Sequence, residues 1–133
     1  MKYALYLGCV IPVKALKYEI STRHIASRLG IELINLKGFG CCGFPVKSMD
    51  RFSALYLAAR NLAIAESYDI DLIGLCSGCV AILSEASITL RDLNIRKKIN
   101  NLLKKEGLKE YNGSVRVKHL AHLLSQDKII EMI

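Results

Sequence analysis

The sequence predicts an α/β domain, a three-layer, open, mainly parallel sheet of about four strands with helices on both faces. Three observations lead there. Short apolar runs of strand length alternate with longer stretches in which apolar residues recur every three or four positions. The alternation persists along the chain without a linker, repeat or low-complexity segment, and strands separated by helices pair in parallel. The 133 residues are 52% hydrophobic, enough for one domain with a sizeable core.

Residues 3–8, Tyr-Ala-Leu-Tyr-Leu-Gly, read as a buried strand ending at Cys9. Pro12 suits the first turn of a helix, where its missing N–H has no partner to lose. Residues 13–29 repeat apolar side chains at Leu16, Ile20, Ile25 and Leu29, and Gly30 supplies the stop. Residues 31–36 form a second strand. Between Gly38 and Pro45, Gly40 and Gly43 break any regular element, so this stretch is a shaped loop. Asp50 caps a helix over 51–67 with Phe52, Leu55, Ala59 and Leu62 inward. Residues 70–75 form a third strand ending at Cys76. A helix opened by Cys79 carries Ile82, Leu83, Ala86 and Leu90, and another over 95–106 turns Ile95, Ile99, Leu102 and Leu103 inward before Gly107. Residues 115–118 make a fourth strand, and a terminal helix starts near 119.

The net charge is +7, concentrated in Arg91, Arg96, Lys97, Lys98, Lys104, Lys105 and Lys109. No aromatic residues interleave with these charges and no nucleic-acid motif accompanies them, so the reading is a solvated helix face, with docking to an acidic partner next and nucleic acid last. The Lys-, Ile- and Leu-rich composition points weakly to a thermophile. No apolar run reaches membrane-spanning length. The eight residues before Cys9 are too few for a secretory leader, so the expected location is cytoplasmic. The apolar end, Ile129, Ile130, Met132 and Ile133, suits a domain cut from or docked to something larger.

The five cysteines, Cys9, Cys41, Cys42, Cys76 and Cys79, follow the pattern C-x31-C-C-x33-C-x2-C. On the strand reading Cys9 follows strand one, the Cys41–Cys42 pair lies after strand two, and Cys76 and Cys79 follow strand three. The carboxyl ends of parallel strands share one edge, so all five thiols converge on one rim, in the crevice where open α/β sheets bind ligands. Buried inert cysteines would scatter instead. A disulfide framework disagrees with the odd count and the large core. Tetrahedral zinc takes four ligands and leaves one cysteine over. An iron–sulfur cluster has several irons, so adjacent cysteines can each reach a different metal, and it is weighed well above zinc, which stays open. The start of the helix near Ser77 to Cys79 would add its positive dipole end.

The motif set Cys41-Cys42-Gly43-Phe44-Pro45 with Cys76-Ser77-Gly78-Cys79 resembles the cysteine-rich CCG domain. The opening Tyr-Leu-Gly-Cys at 6–9 and residues 115–120 look like the heterodisulfide reductase B subunit, and the likeness covers essentially the whole chain. It implies that residues 1–133 form one CCG domain, half of a two-domain subunit, because family subunits carry two such motifs. It also implies a noncubane [4Fe–4S] assembly ligated by Cys9, Cys41, Cys42, Cys76 and Cys79. The implied reaction is reduction of the mixed disulfide of coenzyme M and coenzyme B. The implied partners are a second CCG domain or subunit, an electron-transfer subunit with cubane clusters, and a flavin subunit. CCG domains also occur in succinate dehydrogenase-like and lactate or glycolate oxidase-like complexes, so an electron-transfer module of another oxidoreductase is the alternative.

Among other candidates, His119 falls near the rim as a proton donor to a leaving thiolate, although such a residue is more often structural. His24 and His122 read as surface or packing residues. Lys47 and Arg51 could hold a substrate carboxylate or phosphate, with solvent exposure slightly favoured. No phosphate-binding glycine loop is present, because Gly38-x-Gly40 lacks the strand-to-helix setting.

Overall fold

The computed structural model describes residues 2–8 and 16–131. The expected ligand Cys9, the helix start at Pro12, and the terminal Met132 and Ile133 lie outside the described residues. The elements are β1 (Lys2–Tyr6), α1 (Leu16–Arg28), β2 (Glu32–Ile34), a 3-10 turn (Phe44–Val46), α2 (Arg51–Ser67), β3 (Leu72–Gly74), α3 (Ser77–Thr89), α4 (Leu93–Lys105), β4 (Val117–His119), α5 (Leu120–Leu124) and α6 (Asp127–Ile130).

The four strands form one sheet in the order β2-β1-β3-β4, and every pairing is parallel. Register runs Ala4 with Leu72 and Tyr6 with Gly74, then Gly74 with His119. Tyr6, Gly74 and His119 thus form one row along the carboxyl edge. Successive strand residues point to opposite faces, and the two cores follow that alternation. Ala4, Tyr6 and Leu72 pack with Leu62, Leu83, Ile99 and Leu103 of α2, α3 and α4. Leu5 and Ile73 pack on the other face with Ala26, Leu29, Leu123 and Ile129. The expected three layers are therefore present.

Caps set two helix starts. Asp50 accepts from the Phe52 and Ser53 amides at 3.0 and 3.3 Å, and Asp92 does the same for Asn94 and Ile95 at 2.9 and 3.3 Å, which satisfies otherwise orphaned donors. The Asp92 cap starts α4 at Leu93, ahead of the expected 95. The terminal helix is two short pieces, α5 and α6, broken at Ser125 and Gln126.

The inward face of α1 differs from the expectation. Leu16, Ile20 and Ile25 are exposed, whereas Thr22, Ala26 and the following Leu29 are buried. Both sets have helical spacing, so periodicity alone cannot choose between them. The small side chains at 22 and 26 let the helix approach the sheet closely, and the Thr22 hydroxyl is satisfied by the Tyr18 carbonyl at 2.8 Å. Phe52, expected inward on α2, is likewise exposed, while Ala58, Ala59 and Leu62 carry the contact.

Candidate metal centre

The order β2-β1-β3 makes β1 the point from which the chain winds outward to both sides, so the crevice beyond its carboxyl end is where this sheet would take a ligand. The four described cysteines lie around that crevice. Cys41 and Cys42 lie in the loop between β2 and the 3-10 turn. Cys76 and Cys79 follow β3, Cys76 as the N-cap of α3 and Cys79 in its first turn. Cys42 and Cys79 are buried, and Cys41 and Cys76 are half-buried.

Cys79 joins the set. Burial pushes its thiol well up, and hydrogen bonding and charge interaction with Cys42, then with Cys76, act in the same direction. Cys76 moves the other way. The Cys79 amide lowers its pKa most; burial opposes, and the Cys79 thiol and the Gly78 amide add to the lowering. These amides point toward the Cys76 sulfur without closing a cap bond of ordinary geometry. The helix start thus favours anionic sulfur at Cys76, with Cys79 as the proton-holding partner.

Glycines allow the loops to meet. A Cβ on Gly8 would lie 3.0 Å from Cys79 Sγ, and its φ of +70° disfavours any other residue, so the end of the β1 segment passes directly against that sulfur. Gly43 has φ +95°, and a Cβ there would fall 2.4 Å from the Ala54 carbonyl oxygen on α2. A Cβ on Gly78 would touch Cys76 Sγ at 3.8 Å and the Phe44 ring at 3.9 Å, so the two cysteine loops are in contact.

Polar residues that the sequence pattern does not single out hold the Cys41–Cys42 loop. Asn61 of α2 is fully buried. Its Oδ1 accepts from the Gly40 amide at 2.9 Å, and its Nδ2 donates to the Cys41 carbonyl at 3.0 Å. The Tyr6 hydroxyl donates to the Gly40 carbonyl at 2.6 Å, and its ring meets Phe39 edge-on at 5.4 Å. One step out, Arg60 donates to the Gly38 carbonyl and pairs with Glu106 at 2.6 Å; Glu106 also accepts from the Tyr56 hydroxyl at 2.5 Å. The Gly43 amide lies 3.4 Å from Cys41 Sγ, an N–H directed at sulfur. The sequence signal for Asn61 was an amide inside an otherwise alanine- and leucine-rich helical stretch.

His119 lies at the end of β4, as expected, with both ring nitrogens engaged. Nδ1 accepts from the Ala121 amide at 3.0 Å, which leaves Nε2–H facing the Leu75 carbonyl at 3.1 Å. These bonds give it the role of cap and strand tie, the structural alternative to proton donation. His24 and His122 are exposed, both on helices. Lys47 pairs with Glu85 at 2.8 Å, and with Arg51 it lines a cavity of about 380 Å³ between α2 and α3.

Among the described thiols, Cys42 and then Cys76 act electrostatically on Cys79. Among the described residues no group of three or more His, Cys, Asp or Glu is arranged to hold a single ion. The donor chemistry nevertheless fits a soft polynuclear group. Four described cysteines flank the crevice, amides point at two of the sulfurs, and backbone at Gly8 reaches Cys79 without a side chain between. No helix among the described residues is long and apolar enough to cross a membrane.

The family model for the cysteine-rich domain, CCG, matches residues 3–84. The chain is 38% identical over its whole length to a protein of Archaeoglobus profundus described as like the heterodisulfide reductase B subunit, and covers 45% of it. It is 32% identical to the B subunit of the ferredoxin/F(420)H(2)-dependent CoB-CoM heterodisulfide reductase of Methanosarcina acetivorans, over 95% of this chain and 43% of the relative. It is 34% identical to the 8-methylmenaquinol:fumarate reductase membrane anchor subunit of Wolinella succinogenes, over 95% of this chain and 44% of the relative. The chain thus spans less than half the length of these relatives. A crystal structure of a hypothetical protein from Helicobacter pylori shares the fold, with a TM-score of 0.81 at 22% identity over 92% of this chain and 25% of the other.

Proposed function

Because this chain belongs to the cysteine-rich CCG domain family, we propose that its thiol rim holds an iron–sulfur cluster in a heterodisulfide reductase B-like subunit. The observation that carries the reading is that the Cys41–Cys42 loop meets the start of α3, with Gly78 between Cys76 Sγ and the Phe44 ring and Gly8 against Cys79 Sγ. We assign Cys9, Cys41, Cys42, Cys76 and Cys79 as ligands, with a noncubane [4Fe–4S] group as the type. Such a group would supply one-electron transfer and a soft metal for a substrate sulfur. The substrate is a disulfide of the coenzyme M–coenzyme B kind, in keeping with the name of the Methanosarcina relative.

The chain's own residues have defined tasks in this reading. Asn61 and Tyr6 fix the backbone of the Cys41–Cys42 loop, so the thiols are held before any ligand arrives. Burial of Cys42 and Cys79 excludes water from the inner side. The proposed partners are a second CCG domain or subunit, an electron-transfer subunit with cubane clusters and a flavin subunit, as in the multi-subunit complexes the relatives' names imply. A second reading is favoured by the Wolinella relative, a membrane anchor subunit of an 8-methylmenaquinol:fumarate reductase; in such a complex this domain would transfer electrons without binding a disulfide. Zinc in a structural site is the remaining alternative.

Anaerobic purification with iron, sulfide and zinc analysis, followed by EPR with and without a thiol substrate, separates these readings. Iron and sulfide with a thiol-dependent signal supports the first. Iron and sulfide without a response supports the second. Zinc without sulfide removes both.

A further inference from the structure

A second cavity lies at the opposite edge of the sheet from the cysteines. Its volume is about 470 Å³, and its walls come from the C-terminal half of α3, the turn into α4, the first turn of α4 and the segment leading into β4. Arg91, Arg96 and Arg116 all line it. Among the described residues none of these guanidinium groups makes an ion pair or a hydrogen bond. Three unneutralised forks on one concavity match an oxyanion, which they can clasp in a bidentate manner.

An independent observation points the same way. The Tyr111 hydroxyl is buried and has no hydrogen-bond partner of ordinary geometry, in a residue only 1% exposed. A buried donor without a partner is costly and rare in a folded protein. Burial raises its pKa most and Glu66 adds to the rise, while Ser87, Arg91 and Arg96 lower it, so the hydroxyl sits within the influence of three cavity-lining residues. The Tyr111 backbone is held separately: its amide donates to Asn100 Oδ1 at 2.8 Å and its carbonyl accepts from Asn100 Nδ2 at 3.1 Å. Asn100 thus ties the Tyr111 backbone to α4, and Ser87 acts on the hydroxyl oxygen, which leaves the O–H without an acceptor of ordinary geometry. Glu66, the nearby carboxylate, is occupied by the Asn112 amide and by the amide and hydroxyl of Ser114, at 2.7 to 2.8 Å.

We propose that this cavity binds a small organic anion through a phosphate or carboxylate group, held by Arg91, Arg96 and Arg116 with the Tyr111 hydroxyl as a further donor. Ile88, Leu90 and Val117 give the cavity apolar walls for the organic part. The site is separate from the thiol rim and does not depend on what the cysteines hold.

The test is calorimetric titration of the full chain with phenyl phosphate and with benzoate, at ionic strength held constant with sodium chloride. Saturable binding of either probe is expected, and the tighter of the two identifies the group recognised. Arg96→Ala should weaken that binding about tenfold, the effect of losing one charge-assisted hydrogen bond. Tyr111→Phe removes an orphaned hydroxyl, so it should fold at least as stably as the parent and still lose affinity severalfold. No saturation by either probe, or full affinity in Tyr111→Phe and Arg96→Ala alike, would overturn the proposal. Because the probes carry no sulfur and no redox chemistry, the outcome is independent of the cluster assignment.

Discussion

The Tyr6 hydroxyl donates to the Gly40 carbonyl oxygen at 2.6 Å, tying the last residue of β1 to the loop that carries Cys41 and Cys42. The same hydroxyl lies 3.4 Å from Asn61 Nδ2, so strand, loop and α2 meet at one buried point. Replacing Tyr6 with Phe leaves the ring packed on Phe39 and removes the hydroxyl that meets Gly40 and Asn61. The expected cost is about 1–2 kcal/mol in urea unfolding, for the loss of a hydrogen-bonded hydroxyl. Iron retention should fall with it.

Asn61→Ala should cost more. It leaves the Gly40 amide and the Cys41 carbonyl without their side-chain partners. We expect a loss of about 2–4 kcal/mol, because several groups lose partners at once. A shift of the urea midpoint equal to that of an exposed Asn→Ala control would show that the loop does not rely on this side chain.

Gly8 and Gly43 should fail differently. Gly43→Ala drives a methyl group into rigid α2 backbone at Ala54, so the soluble yield and the helical circular dichroism should both fall. Gly8→Ala is crowded by the Cys79 sulfur, meets the Tyr6 ring at an ordinary 3.8 Å and strains one turn residue outside any helix, so the far-ultraviolet spectrum should stay near that of the parent while iron and sulfide content drops. Parent-level iron in Gly8→Ala would separate this backbone contact from metal retention.

The metal-free, reduced chain should alkylate at Cys76 before Cys79. Cys76 is half-buried and its thiol is shifted down by the amides at the start of α3, whereas Cys79 is buried and shifted up. Mass spectrometry after brief iodoacetamide treatment at neutral pH reads the order directly; label on Cys79 first would contradict the geometry.

The link from Tyr56 through Glu106 to Arg60 should give a defined pH response. Burial, with the Glu106 hydrogen bond and charge next, raises the Tyr56 pKa to about 12. The folded value lies above the unfolded value of about 10, so this contribution is complete below about pH 10 and disappears as the pH rises toward 12. Glu106 is shifted down by Tyr56 and then Arg60. Its contribution is therefore present above the ordinary carboxylate range and is lost as the pH falls through the folded value. Glu106→Gln should lower the Tyr56 titration midpoint, followed by phenolate absorbance.

Much of the fold was legible because helices and strands leave distinct periods. Residues 51–67 have the bounds read from the sequence, and Ile82, Leu83, Ala86 and Leu90 are buried as expected. The α1 face was not legible, since Leu16 and Ile20 share helical spacing and yet are exposed. Size decided that contact, and periodicity does not record size. At the candidate site, the pattern placed Cys41, Cys42, Cys76 and Cys79 on one edge, and the geometry agrees. The expectation for Cys9 lies outside the described residues.

Sequence by itself determined that strand-end cysteines must gather, because parallel strands present their carboxyl ends to the same side. Only the tertiary structure decided what holds them there. Asn61 and Tyr6 are 55 residues apart in the chain, and no local pattern announces that they converge on Gly40. The same holds for Tyr111 and the three arginines, whose meeting depends on how α3, α4 and β4 pack. Hydrogen bonds between distant segments are set by packing, which couples all the residues at once, whereas secondary structure is set largely by near neighbours.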